Sequence, residues 1–356
     1  MEAAKDDVLP IGMTLTLNEI ARSHMKKEYG SIKVITHVSD VEFKDLVDDL
    51  LELGMQVDCR EISREDDFVL SSCTAVRQVR RLLISGNFFV LQKKPFLYFI
   101  TGERNPFFGK ILLNISRDLY PELLRTYVTS EDLYGLLTDF SKAKRIQLRY
   151  TEFVYKRMFG DAFSDRRHEK RLDPYKHKEF SDAFKKAREQ GGKVDRIRVF
   201  GDGYSFRVSR SGILRLYQGD FSEYYRFFIC RIAECAASRW KVFEKRARKE
   251  LPQKEVLPIL VNFDSSVFED LTTRKQLLQV IADYSNCEYS IIHGTNPHVY
   301  VAIFDKMDNS SFTLKTYGTS SLMLVPQIRT SKASLVRFSK HLLDNFQEGN
   351  IVDFKA

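Results

Sequence analysis

The 356-residue chain lacks the segments that mark membrane and secreted proteins. No stretch reaches the roughly 18 consecutive apolar residues that a membrane-spanning helix needs. The most apolar segment, FFVLQKKPFLYFITG, is interrupted by Lys93 and Lys94. The first residues, MEAAKDDVLPIGM, are acidic and have neither the basic nor the apolar part of a signal peptide. We therefore expect a soluble, cytoplasmic protein with no membrane partner.

Cysteine is scarce, and its spacing favours neither a disulfide framework nor a zinc site. The number of cysteines is odd, and no two of them form a CxxC motif. This pattern is typical of a reduced intracellular chain. The five are Cys59, Cys73, Cys230, Cys235 and Cys287.

Common catalytic motifs are also missing. The sequence contains no GxSxG, no HExxH and no Cys–His pairing. The segment GERNPFFGK does not qualify as a phosphate-binding loop, because Ile111 follows Lys110 where Ser or Thr is required. We therefore expect no cofactor, and the absence of these motifs favours a protein without catalytic activity.

Length and charge predict three mixed α/β lobes of the α+β class, with largely antiparallel sheets backed by helices. An apolar fraction of 43% is enough for each lobe to bury a core. The charge is uneven along the chain. Residues 1–141 carry 17 basic and 22 acidic side chains, residues 142–250 carry 29 and 15, and residues 251–356 carry 10 and 11. Only the middle lobe is therefore strongly basic.

In the first lobe the hydrophobic pattern predicts alternating elements. SIKVITHV is predicted as a strand, and VEFKDLVDDLLELG as a helix that ends at Gly54. TAVRQVRRLL is predicted as a helix, NFFVLQKKPFLYFITG and GKILLNIS as strands, and PELLRTYVTSEDLYGLLTDFSKA as helical.

The middle lobe contains the most informative stretch, VDRIRVFGDGYSFRVSRSGILRLYQGD. Its alternation of apolar and polar residues predicts three antiparallel strands, and GDG is a strong hairpin signal. Asp220 is a good N-cap for the following helix, whose apolar stripe would cover one face of this sheet. The charged residues 161–176 contain too little apolar surface to fold and are predicted to form an exposed loop.

The opposite face of this predicted sheet is rich in arginine. Like charges on neighbouring strands destabilise a sheet unless an anion lies among them, and guanidinium groups bind phosphate bidentately and stack on bases. We therefore predict that the middle lobe binds DNA, RNA or another polyanion. The candidate residues are Arg196, Arg198, Arg207, Arg215 and Tyr217 on the sheet, with Arg166, Arg167, Lys170 and Arg171 in the charged loop.

The third lobe has the predicted order β-α-β-β-β-β-α. In topology this order resembles one half of the TATA-binding-protein fold, and the resemblance implies a fold only. The helix SKASLVRFSKHLLDNFQEG begins at the cap residue Ser331.

Two other functions remain open. His293, His298, Asp264 and Asp305 lie on or beside neighbouring predicted strands, where they could hold a metal in a nuclease or a nucleotidyl-transfer enzyme. PHVYVAIFD resembles the His-hydrophobe-His strand of rolling-circle replication nucleases, although Tyr300 replaces the second His. Alternatively, the basic lobe docks an acidic protein surface in an assembly, or it is simply solvated.

Overall fold

A computed structural model describes residues 9–26, 30–120, 122–157, 169–172, 179–190, 192–246, 257–263, 266–269, 271–294, 298–327 and 329–354. The chain divides into two compact units, residues 1–236 and 237–356. Both contain helices and an antiparallel sheet, so the predicted α+β class is confirmed. Within the described ranges, no helix is long and apolar enough to cross a membrane.

The first unit is built on one sheet of eleven strands. Every strand pair in it is antiparallel. The strands are β1 (Ile32–Val38), β2 (Met55–Glu65), β3 (Phe68–Val79), β4 (Leu82–Lys93), β5 (Phe96–Thr101), β6 (Leu124–Arg125), β7 (Arg149–Arg157), β8 (Glu169–Arg171), β9 (Gly192–Gly201), β10 (Tyr204–Ser209) and β11 (Ile213–Gln218). Their order is β2-β3-β4-β5-β1-β11-β10-β9-β7-β8, and β6 pairs with β1.

The helices of the first unit include two short π-helical segments and one 3-10 turn. They are α1 (Ile11–Met25), the 3-10 turn Phe43–Leu46, α2 (Val47–Glu52), α3 (Asn105–Phe107), the π segment Phe108–Leu112, α4 (Leu113–Asp118), α5 (Ser130–Lys144), α6 (Phe180–Glu189), α7 (Phe221–Tyr224), the π segment Tyr225–Ile229 and α8 (Cys230–Arg246), which crosses the boundary after residue 236 into the second unit.

One face of the sheet is covered by α1, α5, α6 and the helical segment that runs from α7 into α8. Val34, Phe206 and Leu216 project from three different strands into this core, and each is completely buried. Phe228 packs on Phe206 with ring centroids 4.5 Å apart. The predicted covering helix and its N-cap are confirmed, because the Asp220 carboxylate accepts hydrogen bonds from the first-turn backbone.

The opposite face is covered differently. The 3-10 turn, α2 and the helical segment from α3 to α4 form a second core with β1 to β5, which includes Phe88, Phe99 and Ile111. Ile213 of β11 lies at the margin of this core. Among the described residues, the second core contains none from β7, β9 or β10. The second face is therefore only half covered by these helices.

Two predicted elements of the first lobe are wrong, and a third is wrong in part. PELLRTYVTSEDLYGLLTDFSKA is helical only from Ser130, because Leu124–Arg125 pairs with β1 as the strand β6. TAVRQVRRLL belongs to the strands β3 and β4, where the register pairs Ala75 with Val57 on one side and with Gly86 on the other. GKILLNIS is helical, because its buried residues continue a helical spacing that begins upstream at Phe107 and Phe108 and extends to Ile111. Neither the pairing partners nor the upstream residues are visible within the short segments themselves.

The expectation of a fully reduced chain is also wrong. Cys59 of β2 and Cys73 of β3 are directly opposite in the ladder and form a disulfide. Cys230, Cys235 and Cys287 are not disulfide-bonded. The pairing follows from the register of the β2–β3 hairpin, since cross-strand neighbours bring their Cβ atoms about 5 Å apart.

After α8, the described residues of the second unit form a six-stranded sheet and two helices in the predicted order of elements, to which one final strand is added. Phe312 and Phe338 pack between sheet and helix with ring centroids 4.9 Å apart. The strand order is β13-β14-β15-β16-β12-β17. The elements are β12 (Ile259–Phe263), α9 (Leu271–Ala282), β13 (Cys287–His293), β14 (Tyr300–Asp305), β15 (Ser310–Tyr317), β16 (Ser321–Pro326), α10 (Lys332–Asn345) and β17 (Gly349–Asp353).

The division into three lobes remains a prediction. Strands from both sides of the predicted boundary after residue 141 join one sheet in the first unit. In the predicted loop at residues 161–176, Glu169–Arg171 forms β8, so the loop prediction is wrong for those three residues. Residues 161–168 and 173–176 lie outside the described residues.

Candidate anion-binding site

The strands β9, β10 and β11 form the predicted meander, and its local geometry follows from its turn. Asp202 and Gly203 both have positive φ, 40° and 83°, as a tight hairpin turn requires. The register then sets Phe206 opposite Val199 on the core face and Arg207 opposite Arg198 on the other face. The predicted separation of apolar and basic side chains is therefore confirmed.

The pairing of strands aligns four cations across the half-covered face. Lys33 of β1 is opposite Arg215 of β11, Arg215 is opposite Arg207 of β10, and Arg207 is opposite Arg198 of β9. We call these four residues the cation row. Since like charges directly opposite one another destabilise a sheet, the row lowers the stability of the fold.

The core side of the sheet holds the centre of the cation row in position. The hydroxyl of Tyr224 donates hydrogen bonds to the backbone carbonyls of Arg207 and Arg215, at 2.9 and 3.3 Å. Tyr224 is itself buried, and burial raises the pKa of its phenol. The strands that carry the two central arginines are therefore fixed by a neutral donor.

Arg196 is on the same face but is already neutralised. Its Nε donates to Glu152 at 3.1 Å, and its NH1 group donates to Asp195 at 3.0 Å. Asp195 also pairs with Lys156 at 3.1 Å. Because these two carboxylates neutralise its charge, we do not include Arg196 in the row.

Carboxylates stand at both ends of the cation row. Glu152 of β7 is opposite Arg198 and lies 3.8 Å from the NH1 group of Arg207. At the other end, Lys33 donates a hydrogen bond to the backbone carbonyl of Glu103, whose carboxylate also attracts it. The face thus contains more acidic groups than the meander sequence suggests, because Glu152 and Glu103 come from distant segments.

Positive charge still exceeds negative charge at this face. Lys33 and the four sheet arginines make five cations, against the three carboxylates Glu103, Glu152 and Asp195, even without counting Lys156. These groups together carry an excess of two positive charges. At partly buried positions such an excess is less screened by water and salt than on an open surface.

Burial disfavours the charged forms of the residues in the row. Lys33 is 4% exposed, and burial together with the charge of Arg215 lowers its pKa to about 8. The pKa of Arg215 is also lowered, first by burial and then by Arg207. The Nε atoms of Arg198 and Arg215 are buried and have no hydrogen-bond partner. These two donors are the groups that an entering anion would satisfy.

Aromatic rings flank the cation row on two sides. The guanidinium of Arg198 stacks on the ring of Tyr217, with its carbon 3.9 Å from the ring centroid. The guanidinium of Arg215 lies 5.6 Å from the ring of Phe108. Tyr217, the predicted aromatic member of the site, therefore contacts the row, and it is also partly exposed to solvent.

The charged-loop candidates are only partly described. Arg166 and Arg167 lie outside the described residues, and only the backbone of Lys170 is described, within β8. Arg171 is exposed and stands opposite Val154, whose other neighbour in the ladder is Arg196. Arg171 therefore extends the basic face beyond β7.

Lys33 is the member of the site that sequence reasoning missed. It stands in SIKVITHV, a segment that the sequence predicted only as a strand. Every residue of this strand is buried, and lysine is rarely fully buried without a specific partner. A lysine between the apolar residues Ile32 and Val34 was the available signal.

The structure separates the candidate metal ligands of the second unit. His293 is opposite Tyr300, whereas Asp305 is opposite Cys287, so the two candidates stand at opposite ends of the β13–β14 hairpin. Five residues of extended strand span about 17 Å. His298 is exposed and precedes β14.

Asp305 is fully buried and is engaged by other groups. It pairs with Arg337 and accepts a hydrogen bond from the Ser334 hydroxyl at 2.7 Å. Asp264 lies outside the described residues. Across the part of the chain that the structure describes, no three His, Cys, Asp or Glu side chains are grouped to hold a metal ion.

Comparison with known proteins assigns the chain to no group. No protein-family model matches it, and a search of curated proteins finds no significant match.

Proposed function

We propose that the chain binds nucleic acid, and that the cation row contacts its phosphate groups. The observation that carries this proposal is the alignment of Lys33, Arg215, Arg207 and Arg198 on four neighbouring strands. The row destabilises the fold unless an anion offsets it, because its members repel one another and are partly withdrawn from water. Phosphate is an anion whose oxygens match the planar guanidinium group bidentately.

Tyr217 favours nucleic acid over a simple inorganic anion. It holds the guanidinium of Arg198 on one ring face, and a guanidinium plane stacked in this way can carry a base on its other side. The surrounding segment adds a long-range attraction, because residues 142–250 carry 29 basic and 15 acidic side chains.

The test is fluorescence anisotropy with labelled DNA and RNA of about 10 nucleotides, as single strands and as duplexes. The variant Arg207→Gln with Arg215→Gln removes the centre of the row. The matched control is Arg81→Gln with Arg188→Gln, which changes the net charge equally at two exposed positions outside the row.

We expect the row variant to bind about 30- to 1,000-fold more weakly, because each of the two lost charge-assisted hydrogen bonds contributes about 1–2 kcal/mol. The magnitude of the slope of log K against log salt should fall by about 1.4 for single strands and about 1.8 for duplexes, as expected when two phosphate contacts are lost. The control should keep the wild-type affinity within about threefold. Equal weakening in both variants would mean that net charge, not the row, causes binding, and an acidic protein would then be the better partner.

A further inference from the structure

We propose that the cation row binds the terminal phosphomonoester of an oligonucleotide in preference to its internal phosphodiesters. This inference rests on the proposed function and specifies which chemical group of the nucleic acid enters the site. Three properties of the row support it: limited access, unsatisfied donors and the size of the charge excess.

Access to the row is limited by burial. Lys33 is 4% exposed, and the side chain of Arg207 is 19% exposed. The rings of Phe108 and Tyr217 stand beside Arg215 and Arg198. An internal phosphodiester carries a sugar on each side and needs an open groove. A terminal phosphate is attached on one side only and can approach these cations end-on.

The unsatisfied donors and the charge also match a terminal group. The buried Nε atoms of Arg198 and Arg215 have no hydrogen-bond partner. A phosphomonoester offers three terminal oxygens to such donors, whereas an internal phosphodiester offers two. A phosphomonoester is close to a dianion at neutral pH. Its charge therefore offsets the excess of two positive charges among these groups, which a phosphodiester offsets only in part.

The pH dependence of binding separates these two ligands. Burial lowers the pKa of Lys33 to about 8, with further lowering by Arg215 and Arg207 and an opposing effect of Glu103. Above that pH the free site loses one positive charge. A phosphomonoester loses part of its charge below its second pKa of about 6. Affinity for a terminal phosphate should therefore be highest between about pH 6 and pH 8, whereas an internal phosphodiester should show only the upper decline.

The experiment compares three unlabelled oligonucleotides of one sequence as competitors in the anisotropy assay. One carries a 5′-phosphate, one a 3′-phosphate and one hydroxyl groups at both ends. We expect at least one phosphorylated form to bind about tenfold more tightly than the hydroxyl form near pH 7, a difference of about 1.4 kcal/mol. The phosphorylated oligonucleotide that binds more tightly shows which end enters the site.

Two row variants connect the preference to the site. Lys33→Met removes the titrating cation, and Arg215→Lys keeps the charge but removes the planar guanidinium fork. Both should reduce the preference to less than about threefold, while the exposed-site control Lys185→Met should keep it. Thermal melts of each variant establish that it is folded.

The outcomes separate the inference from the proposed function. Equal affinity for all three oligonucleotides, with binding still dependent on Arg207 and Arg215, would overturn the terminal preference and leave nucleic-acid binding intact. A terminal preference that survives in both folded row variants would place the phosphate elsewhere and also overturn it. Absence of binding to all three would refute both proposals.

Discussion

Replacement of Lys33 by methionine should stabilise the protein while it weakens anion binding. The buried ammonium has a pKa of about 8, compared with an ordinary value of 10.5. A difference of 2.5 units at about 1.36 kcal/mol each corresponds to about 3 kcal/mol by which the charged form is disfavoured in the folded state. The variant loses the hydrogen bond to the Glu103 carbonyl, which contributes about 1 kcal/mol. The net gain near pH 7 is therefore about 2 kcal/mol.

The pH dependence provides the decisive measurement. The pKa of Lys33 is lowered on folding, so between about pH 8 and pH 10.5 the unfolded chain retains a proton that the folded chain has lost. The free energy of unfolding of the wild type should therefore rise through this window, by at most about 1.4 kcal/mol per pH unit from this group. Methionine does not titrate, so the difference in free energy of unfolding between Lys33→Met and the wild type should shrink as the pH rises.

Urea denaturation of the wild type, Lys33→Met and Lys185→Met at several pH values tests both expectations. The exposed position of Lys185 makes its variant the control for a lost surface charge. The gap between the wild type and Lys33→Met should be about 2 kcal/mol near pH 7 and much smaller near pH 10. A destabilised Lys33→Met variant at pH 7, or a gap that does not change with pH, would refute the assignment of a strained buried charge.

Two further predictions concern other groups of the first unit. Glu152→Gln removes the carboxylate that accepts a hydrogen bond from Arg196 and lies beside Arg207. Oligonucleotide affinity should therefore rise about threefold or more, and the salt dependence of binding should steepen by about one. An unchanged affinity in the same anisotropy assay would show that Glu152 does not compete with the ligand. Cys59→Ser with Cys73→Ser removes a cross-link that closes a loop of 14 residues. The free energy of unfolding, measured by urea denaturation, should therefore fall by up to about 3 kcal/mol. The pairing would be contradicted if a non-reducing digest of the wild-type protein showed the two cysteine peptides unlinked.

The elements that the sequence predicts correctly depend on local signals. The meander of β9 to β11 follows from period-two alternation and from the turn at Asp202 and Gly203, which needs positive φ. The helices that follow Asp220 and Ser331 begin where a cap side chain satisfies the first backbone donors. Each of these signals lies within a few residues of the structure that it specifies.

The errors concern segments whose structure is decided by distant partners. TAVRQVRRLL contains apolar residues at spacings that suit a helix or a strand, and the ladder on both sides of β3 decides for the strand. Cys59 and Cys73 form a disulfide only because the hairpin register places them opposite each other. The local sequence pattern does not determine this register.

The candidate site divides in the same way. By itself the sequence determined that Arg198, Arg207 and Arg215 share one face of a meander, because alternation along consecutive strands is a local property. Only the tertiary structure joined Lys33 at one side and Glu152 at the other, since β1 and β7 enter the sheet from distant parts of the chain. The charge balance, the burial and the lowered pKa of Lys33 all arise from that assembly, because electrostatic interactions depend on spatial distance and on exclusion of water, not on separation along the chain.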